Sequence, residues 1–396
     1  VSSCDLYTLY IGANNAAIRL NTLVSAFENY TNLTHIYGLE NLYLPDTLYA
    51  DSAFSNCSSF KELDFSVIPN IKVYGIPYMF YNCSSLESID VSTFDTANCT
   101  GMYSSFYGCS SLKDLDLSNF VTSNMENTSY AFGECTSLEN VDLSSFDTSN
   151  VKNFYRTFYY CSSLKNIDVS NFDTSKAETY NGMFENCSSL ENIDLSNFKT
   201  DKVVNAYGMF KGCTSLKVLD LTSWNFRNSS GETFNMGGFI EGNNKKLELV
   251  LLGEDCNYLY GYSAFNSSSI DKYGIISQRN ASDSSKLMNI DTNTITGKNV
   301  VLYVPTKTEE ALYEENENII SIFSVPALDN GTDLYYVRTI LELSGEEVVN
   351  IEIGDSYVDN GVTVAGLACD LDSESGDITP ELLIPYGYKL VMTNNV

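Results

Sequence analysis

The sequence predicts a leucine-rich-repeat solenoid, a stack of 26-residue coils sharing a parallel β-sheet. Two observations carry that prediction. Cysteines recur at 57, 83, 109, 135, 161, 187 and 213, a spacing of 26 held without a slip. Each also sits in the same apolar frame, with Phe three residues before it and Leu or Phe three residues after it. A unit this short cannot bury its own apolar face, but stacked units can, because each row of equivalent side chains continues inside the next coil.

The unit reads Phe-x-x-Cys-Ser-Ser-Leu-x-x-Leu-Asp-Leu-Ser-x-Phe-x-Thr. Its first Phe row runs Phe54, Phe80, Phe106, Phe132, Phe158, Phe184, Phe210. After each Cys, apolar residues follow at three, six, eight and eleven positions, as in Leu112, Leu115, Leu117 and Phe120 after Cys109. The alternation at the six and eight positions marks a short strand. Such strands stack into a parallel sheet about 4.8 Å apart. An earlier, degenerate coil keeps the spacing as Phe27, Tyr30, Leu33 and Ile36, with Tyr30 in place of Cys. Residues 1–26 are expected to form an N-terminal cap, and 27–226 the solenoid proper.

This pattern resembles the BspA-like class of bacterial leucine-rich repeats, for example in the run from Met183 to Phe198 that includes Phe184, Cys187, Leu190, Ile193 and Leu195. The resemblance covers about residues 27–226. It implies a secreted or wall-attached surface protein that adheres to host proteins or other cells. The spacing alone implies only a solenoid.

Composition narrows the chemistry. The net charge of −29 repels nucleic acid and anionic lipid and favours divalent cations or basic partners. No run of 18 apolar residues occurs, so no membrane insertion is expected. Val1 stands where a start Met would, which reads as a processed or trimmed chain. His35 is the sole histidine, which argues against Ser-His-Asp, Cys-His and His-based metal chemistry. No Cys-x-x-Cys pair suggests zinc, so neither a metal site nor a cofactor is assigned.

The periodic cysteines share one row and are odd in number, so they read as a buried, reduced ladder in which small apolar Cys fits the interior. Cys99 joins an interior row with Val73, Met125, Val151 and Val203, whereas Cys4, Cys256 and Cys369 are off-register.

Function in a solenoid lives on outward rows. Four residues after Cys the charge alternates as Lys61, Glu87, Lys113, Glu139, Lys165, Glu191, Lys217, a cross-strand ion-pair ladder. Seven after Cys, Asp is invariant: Asp64, Asp90, Asp116, Asp142, Asp168, Asp194, Asp220. Like charges in such a row repel by roughly 1 kcal/mol per neighbour, so hydrogen bonds to the Ser or Thr two residues on, from Ser66 to Thr222, are expected to offset them. Asp90, Asp116, Asp142, Asp168 and Asp194 are candidates to bind Ca2+ or a basic partner. A third set comprises tyrosines ahead of the coils. Tyr103, Tyr130, Tyr155, Tyr180 and Tyr207 are candidate ligand-binding residues, because Tyr presents an apolar body with a polar tip.

After Trp224 the sequence reads as losing register, and residues 227–326 are assigned to irregular last coils and a C-terminal cap. Strands are expected at 247–252 and 300–305, the latter followed by a short helix near 309–313. Residues 253–297 read as polar and turn-rich. From about 327 the text changes again. The segment Gly354-Asp355-Ser356-Tyr357-Val358-Asp359-Asn360-Gly361-Val362 resembles the start of bacterial immunoglobulin-like stalk modules, so 327–396 reads as such a module, incomplete.

The expected function is therefore that of an extracellular cell-surface adhesin, monomeric and non-enzymatic. Its expected partner is a protein or glycan on another cell. A structural spacer without a specific ligand is the alternative, favoured by the near-identity of the coils. A polysaccharide-cleaving enzyme is a minor third reading, since catalysis needs one distinct carboxylate pair with split pKa values and no coil stands out.

Overall fold

The computed structural model describes residues 6–12, 18–46, 48–242, 246–247, 249–252 and 264. Beyond these it describes the backbone strands 273–277, 300–304, 319–324, 348–350, 381–383 and 389–391. The chain forms a parallel β-solenoid. Its helical structure among the described residues is one 3-10 turn at Leu39–Asn41.

Each coil begins with a run of tight turns that ends at the Cys. Alternate amides in this run point along the solenoid axis. Tyr78, Phe80 and Asn82 donate to the carbonyls of Tyr103, Ser105 and Tyr107 in the next coil, at 3.1, 2.8 and 2.6 Å. The amides between them, on Met79, Tyr81 and Cys83, turn back to carbonyls three residues earlier, each at 3.1 Å. That alternation requires left-handed backbone five residues and one residue before each Cys. Tyr78 (φ 54°), Asn82 (φ 55°), Gly208 (φ 60°) and Gly212 (φ 74°) illustrate it.

The strand expected after the Cys is present in five of the seven Cys coils, and the stretches after Cys161 and Cys187 form none. Glu62–Asp64 pairs in parallel with Ser88–Asp90, and Asp114–Asp116 with Asn140–Asp142. A further run stacks Gly101, Asn127, Asn153, Thr179, Asn205 and Asn235 through successive parallel bridges.

The interior rows pack as the periodicity requires. The first Phe row is a spine of stacked rings, with Phe80–Phe106 centroids 5.3 Å apart and Phe158–Phe184 at 5.5 Å. All eight described cysteines are free and buried, so the ladder is one of reduced thiols. Its chemistry exceeds simple filling: each of the seven periodic thiols donates to the Phe carbonyl of the preceding coil, as in Cys83 to Phe54 (3.1 Å) and Cys135 to Phe106 (3.0 Å), whereas Cys99 donates to the Gly101 carbonyl. Burial pushes the Cys57 and Cys135 thiols up to about 12. Cys4, Cys256 and Cys369 lie outside the described residues.

A buried threonine row makes a second polar staple. The Thr122 hydroxyl donates to the Asp147 carbonyl (3.0 Å) and accepts from the Asp147 amide (2.7 Å). Thr96 holds Val121 in the same way at 3.0 and 2.7 Å. One hydroxyl thus satisfies two backbone groups at a corner where no strand continues.

At the N-terminal end the degenerate coil is real, with the Ser25, Phe27 and Asn29 amides donating to Asp51, Ala53 and Ser55. Ahead of it, Thr8–Tyr10 pairs in parallel with His35–Tyr37, and Ile18–Arg19 with Leu42–Tyr43. Beyond Trp224 the structure corrects the sequence reading, because the register is lengthened rather than lost. An antiparallel bridge between Arg227 and Thr233 absorbs the extra residues. Phe210 and Gly212 then bond the carbonyls of Phe239 and Glu241, both at 2.9 Å.

A five-stranded parallel sheet follows, made of Val218–Leu221, Leu249–Leu252, Tyr273–Ser277, Val300–Val304 and Ile319–Ser324. The strand at 273–277 lies inside the stretch read as turn-rich, and the one at 319–324 was not expected. The predicted helix near 309–313 lies outside the described residues. Of the immunoglobulin-like segment only Val348–Asn350, Glu381–Leu383 and Lys389–Val391 are described, as one three-stranded sheet.

Candidate binding surface on the turn edge

The turn run faces solvent along one edge of the solenoid, and its outward side chains are aromatic over several coils. Tyr78 meets Tyr81 and Tyr103 edge-on at 5.6 and 5.1 Å, and Tyr81 stacks on Tyr107 at 5.1 Å. Tyr107 meets Tyr130 at 5.6 Å, and Tyr130 meets Tyr155 at 5.1 Å and Tyr159 at 6.1 Å. Tyr159 contacts Tyr160 at 4.6 Å. The result is one continuous ribbon of half-buried to exposed rings.

Arg156 anchors the C-terminal end of the ribbon. Its guanidinium carbon lies 4.4 Å from the Tyr159 ring centre and 5.4 Å from that of Tyr155. Its terminal nitrogens donate to the Tyr130 hydroxyl (3.2 Å) and pair with Glu185 (3.1 Å). At mid-ribbon the Tyr107 hydroxyl donates to Glu134. Burial, followed by the Glu134 hydrogen bond, raises the Tyr107 pKa, and burial raises those of Tyr103 and Tyr159. Tyr103, Tyr107 and Tyr159 therefore keep their phenol protons, in a ribbon that holds the Arg156 cation. Gly133 makes room for it, since a Cβ there would lie 2.8 Å from the Tyr107 ring.

The backbone beneath the ribbon is strained. Tyr78, Tyr130 and Arg156 occupy the left-handed position with φ of 54°, 54° and 52°, where other coils use Ser52 and Ser104 or the glycines Gly182, Gly208 and Gly238. Glu134 and Tyr160 do so one residue before their Cys, where other coils place Gly or Asn. A residue with a Cβ costs roughly 1–2 kcal/mol there. The Arg156 Nε is also buried without a hydrogen-bond partner. The fold accepts glycine at these positions, so backbone geometry alone does not call for large side chains there.

Four of the five candidate tyrosines are on this edge. Tyr103, Tyr130 and Tyr155 belong to the ribbon, and Tyr207 is 41% exposed beyond the Gly182 coil. Tyr180 is the exception and corrects the sequence reading. It is fully buried, packed on Phe198 and Trp224 at 5.3 and 5.8 Å, with its hydroxyl bonded to the Lys199 carbonyl. The physical reason is a shift of one residue. Tyr180 lies seven before its Cys, in the interior row of Met102, Thr128, Phe154 and Ala206, whereas the outward tyrosines lie five or six before.

The aspartate row is on the strand face, apart from the ribbon. In each coil the carboxylate accepts the amide two residues on: Asp90 from Ser92, Asp116 from Ser118, Asp142 from Ser144, Asp168 from Ser170 and Asp194 from Ser196, all at 2.9 Å. Hydrogen bonds from the serine side chain and amide hold Asp90, Asp116, Asp142 and Asp168 below the usual carboxylate range. The alternating ladder beside it closes ion pairs at Lys61–Glu87 (3.4 Å) and Glu191–Lys217 (3.0 Å).

A family model described as "Mycoplasma protein of unknown function, DUF285" matches residues 49–166 and again 129–247, together half of the chain. The chain belongs to this DUF285 family. The two DUF285 matches overlap, as a repeat model does when it can begin on more than one coil. The comparison with curated proteins returns no match. Among solved structures, a leucine-rich repeat protein from Bacteroides ovatus is 16% identical, with a TM-score of 0.41 over 81% of this chain and 67% of that one.

The aspartates and thiols recur in each coil from Cys57 to Cys213, whereas Arg156, Glu134 and Glu185 do not recur in their columns, and sequence reasoning missed them. A signal was present, because Arg156 is one of only five arginines in the chain and breaks a column otherwise made of Ser, Tyr and Gly.

Proposed function

We propose that this chain is a non-enzymatic, extracellular surface adhesin that grips a protein or glycan on another cell with the tyrosine ribbon. The observation that carries this reading is the strain beneath the ribbon. Tyr78, Tyr130 and Arg156 sit in left-handed backbone where the other coils place only Ser or Gly. Half-exposed rings held at low conformational cost, with one guanidinium among them, are the composition of interaction hot spots. No described helix is long and apolar enough to cross a membrane.

The test is binding of the whole chain to arrays of extracellular matrix proteins and cell-surface glycans. Saturable binding that Tyr159→Ser and Arg156→Gln each weaken at least tenfold, with folding intact, is the expected outcome. A ligand that both variants bind as well as the parent does would instead place recognition elsewhere.

A further inference from the structure

The strand face carries a second feature, independent of the ribbon. A cleft of about 780 Å³ opens between the coil of His35–Tyr37 and that of Glu62–Asp64, lined by residues from Thr34–Glu40 on one wall and from Ser59–Val67 on the other. This volume is in the range of specific ligand sites.

The strand registers explain why it opens here. His35–Tyr37 pairs outward with Thr8–Tyr10, and Glu62–Asp64 pairs outward with Ser88–Asp90. Neither pairs with the other. In those registers the amide and carbonyl of Ile36 on one wall, and of Glu62 and Asp64 on the other, face the cleft. Among the described residues these groups take no part in either strand pairing and make no backbone hydrogen bond outside the strands. Two strand edges thus face each other across a space. The floor is apolar, with Leu39 and Leu63 buried, and the rim carries Glu40, Glu62 and Asp64 against Lys61. Lys61 is itself drawn to Glu87 at 3.4 Å, which leaves the rim acidic.

We propose that this cleft binds an extended peptide segment that alternates basic and aliphatic residues, and that the segment adds as a strand between the two edges. Main-chain hydrogen bonds to Ile36, Glu62 and Asp64 give affinity, as in other strand additions. Period-two alternation sends the aliphatic side chains to the floor and the basic ones to the acidic rim.

The test uses the whole chain and a fluorescent decapeptide of alternating Lys and Val, followed by anisotropy at low salt. Binding should be saturable. It should weaken at least tenfold when every Val is replaced by Pro, which removes backbone donors but leaves the charge. Glu62→Lys, an exposed change whose folding is checked by an unaltered Tm, should weaken the Lys–Val peptide at least tenfold and favour a Glu–Val peptide. Equal binding of the proline peptide, indifference to Glu62→Lys, or displacement by a neutral oligosaccharide would overturn the proposal.

Discussion

The turn edge and the strand face are built from the same coils and obey opposite rules. On the strand face the aspartate recurs in every Cys coil, and each one is tied to its own chain two residues on. On the turn edge the coils differ, and the departures are large side chains in strained backbone. In a repeat protein, sameness from coil to coil is what stacking demands. A departure that costs stability marks what stacking does not explain, and the ribbon is such a departure.

The sharpest way to break this comparison is to exchange tyrosines across it. Tyr180 is buried and Tyr207 is 41% exposed, although sequence reading groups them together. Tyr180→Ala should lower the unfolding free energy by about 3–5 kcal/mol, the usual range for deleting a buried aromatic side chain. Tyr207→Ala should stay within about 0.5 kcal/mol. Urea unfolding of both variants checks it, and similar losses would erase the distinction between interior and edge.

The next effect belongs to the interior staple. Thr122→Val keeps the side-chain volume but strands the Asp147 amide and carbonyl that the hydroxyl holds at 2.7 and 3.0 Å. A loss of about 1–3 kcal/mol is expected. A neutral result in urea would show that the corner rehydrates at no cost.

How much of this was legible in the sequence follows from which effect each residue obeys. The interior rows were legible because burial imposes one residue type at a fixed spacing, and 26 residues bring it back to the same place. Phe54 through Phe210 and the Cys row were read correctly on that ground alone. Tyr180 was misread because Tyr is content on either side of the boundary, so only its offset from Cys187 decides. The thiol-to-carbonyl bonds were invisible, since spacing reports that a residue is inside but not what it donates to. The strands at 273–277 and 319–324 were missed because the coils there abandon the Cys frame that sets the count. Arg156 was missed because a single departure carries no period.

The edge itself can be probed by exchanging glycine with the residues that replace it. Gly182→Ala puts a Cβ at φ 59°, 2.9 Å from the Arg156 Cγ, and should cost about 1–2 kcal/mol. Tyr160→Gly, one residue before Cys161 at φ 56°, should stabilise by up to about 1 kcal/mol. Its ring contact with Tyr159 is half exposed and offsets only part of that relief. Opposite signs in the two Tm shifts would support strain retained for binding. A destabilised Tyr160→Gly variant would mean the ribbon holds the fold together after all.

The smallest effect is on the strand face and is read through pH. Asp90, Asp116, Asp142 and Asp168 have pKa values below their ordinary 3.8, first through the serine hydrogen bonds. A depressed folded-state pKa makes a carboxylate stabilising above its unfolded value. That stabilisation is lost as the pH falls from about 4 through the depressed values. The Tm should therefore be flat from pH 7 to 5 and fall below 4, more gently in Asp142→Asn, whose amide oxygen still accepts from Ser144 without titrating. At pH 7 that variant should lie slightly below the parent, because the serine bonds that favour the charged carboxylate outweigh its repulsion from Asp116, and the two should converge in acid. Calcium sharpens the same point. If the row holds Ca2+, millimolar calcium should raise the parent Tm and the gain should shrink in Asp142→Asn. If the serine bonds alone settle the row, both proteins should ignore the ion.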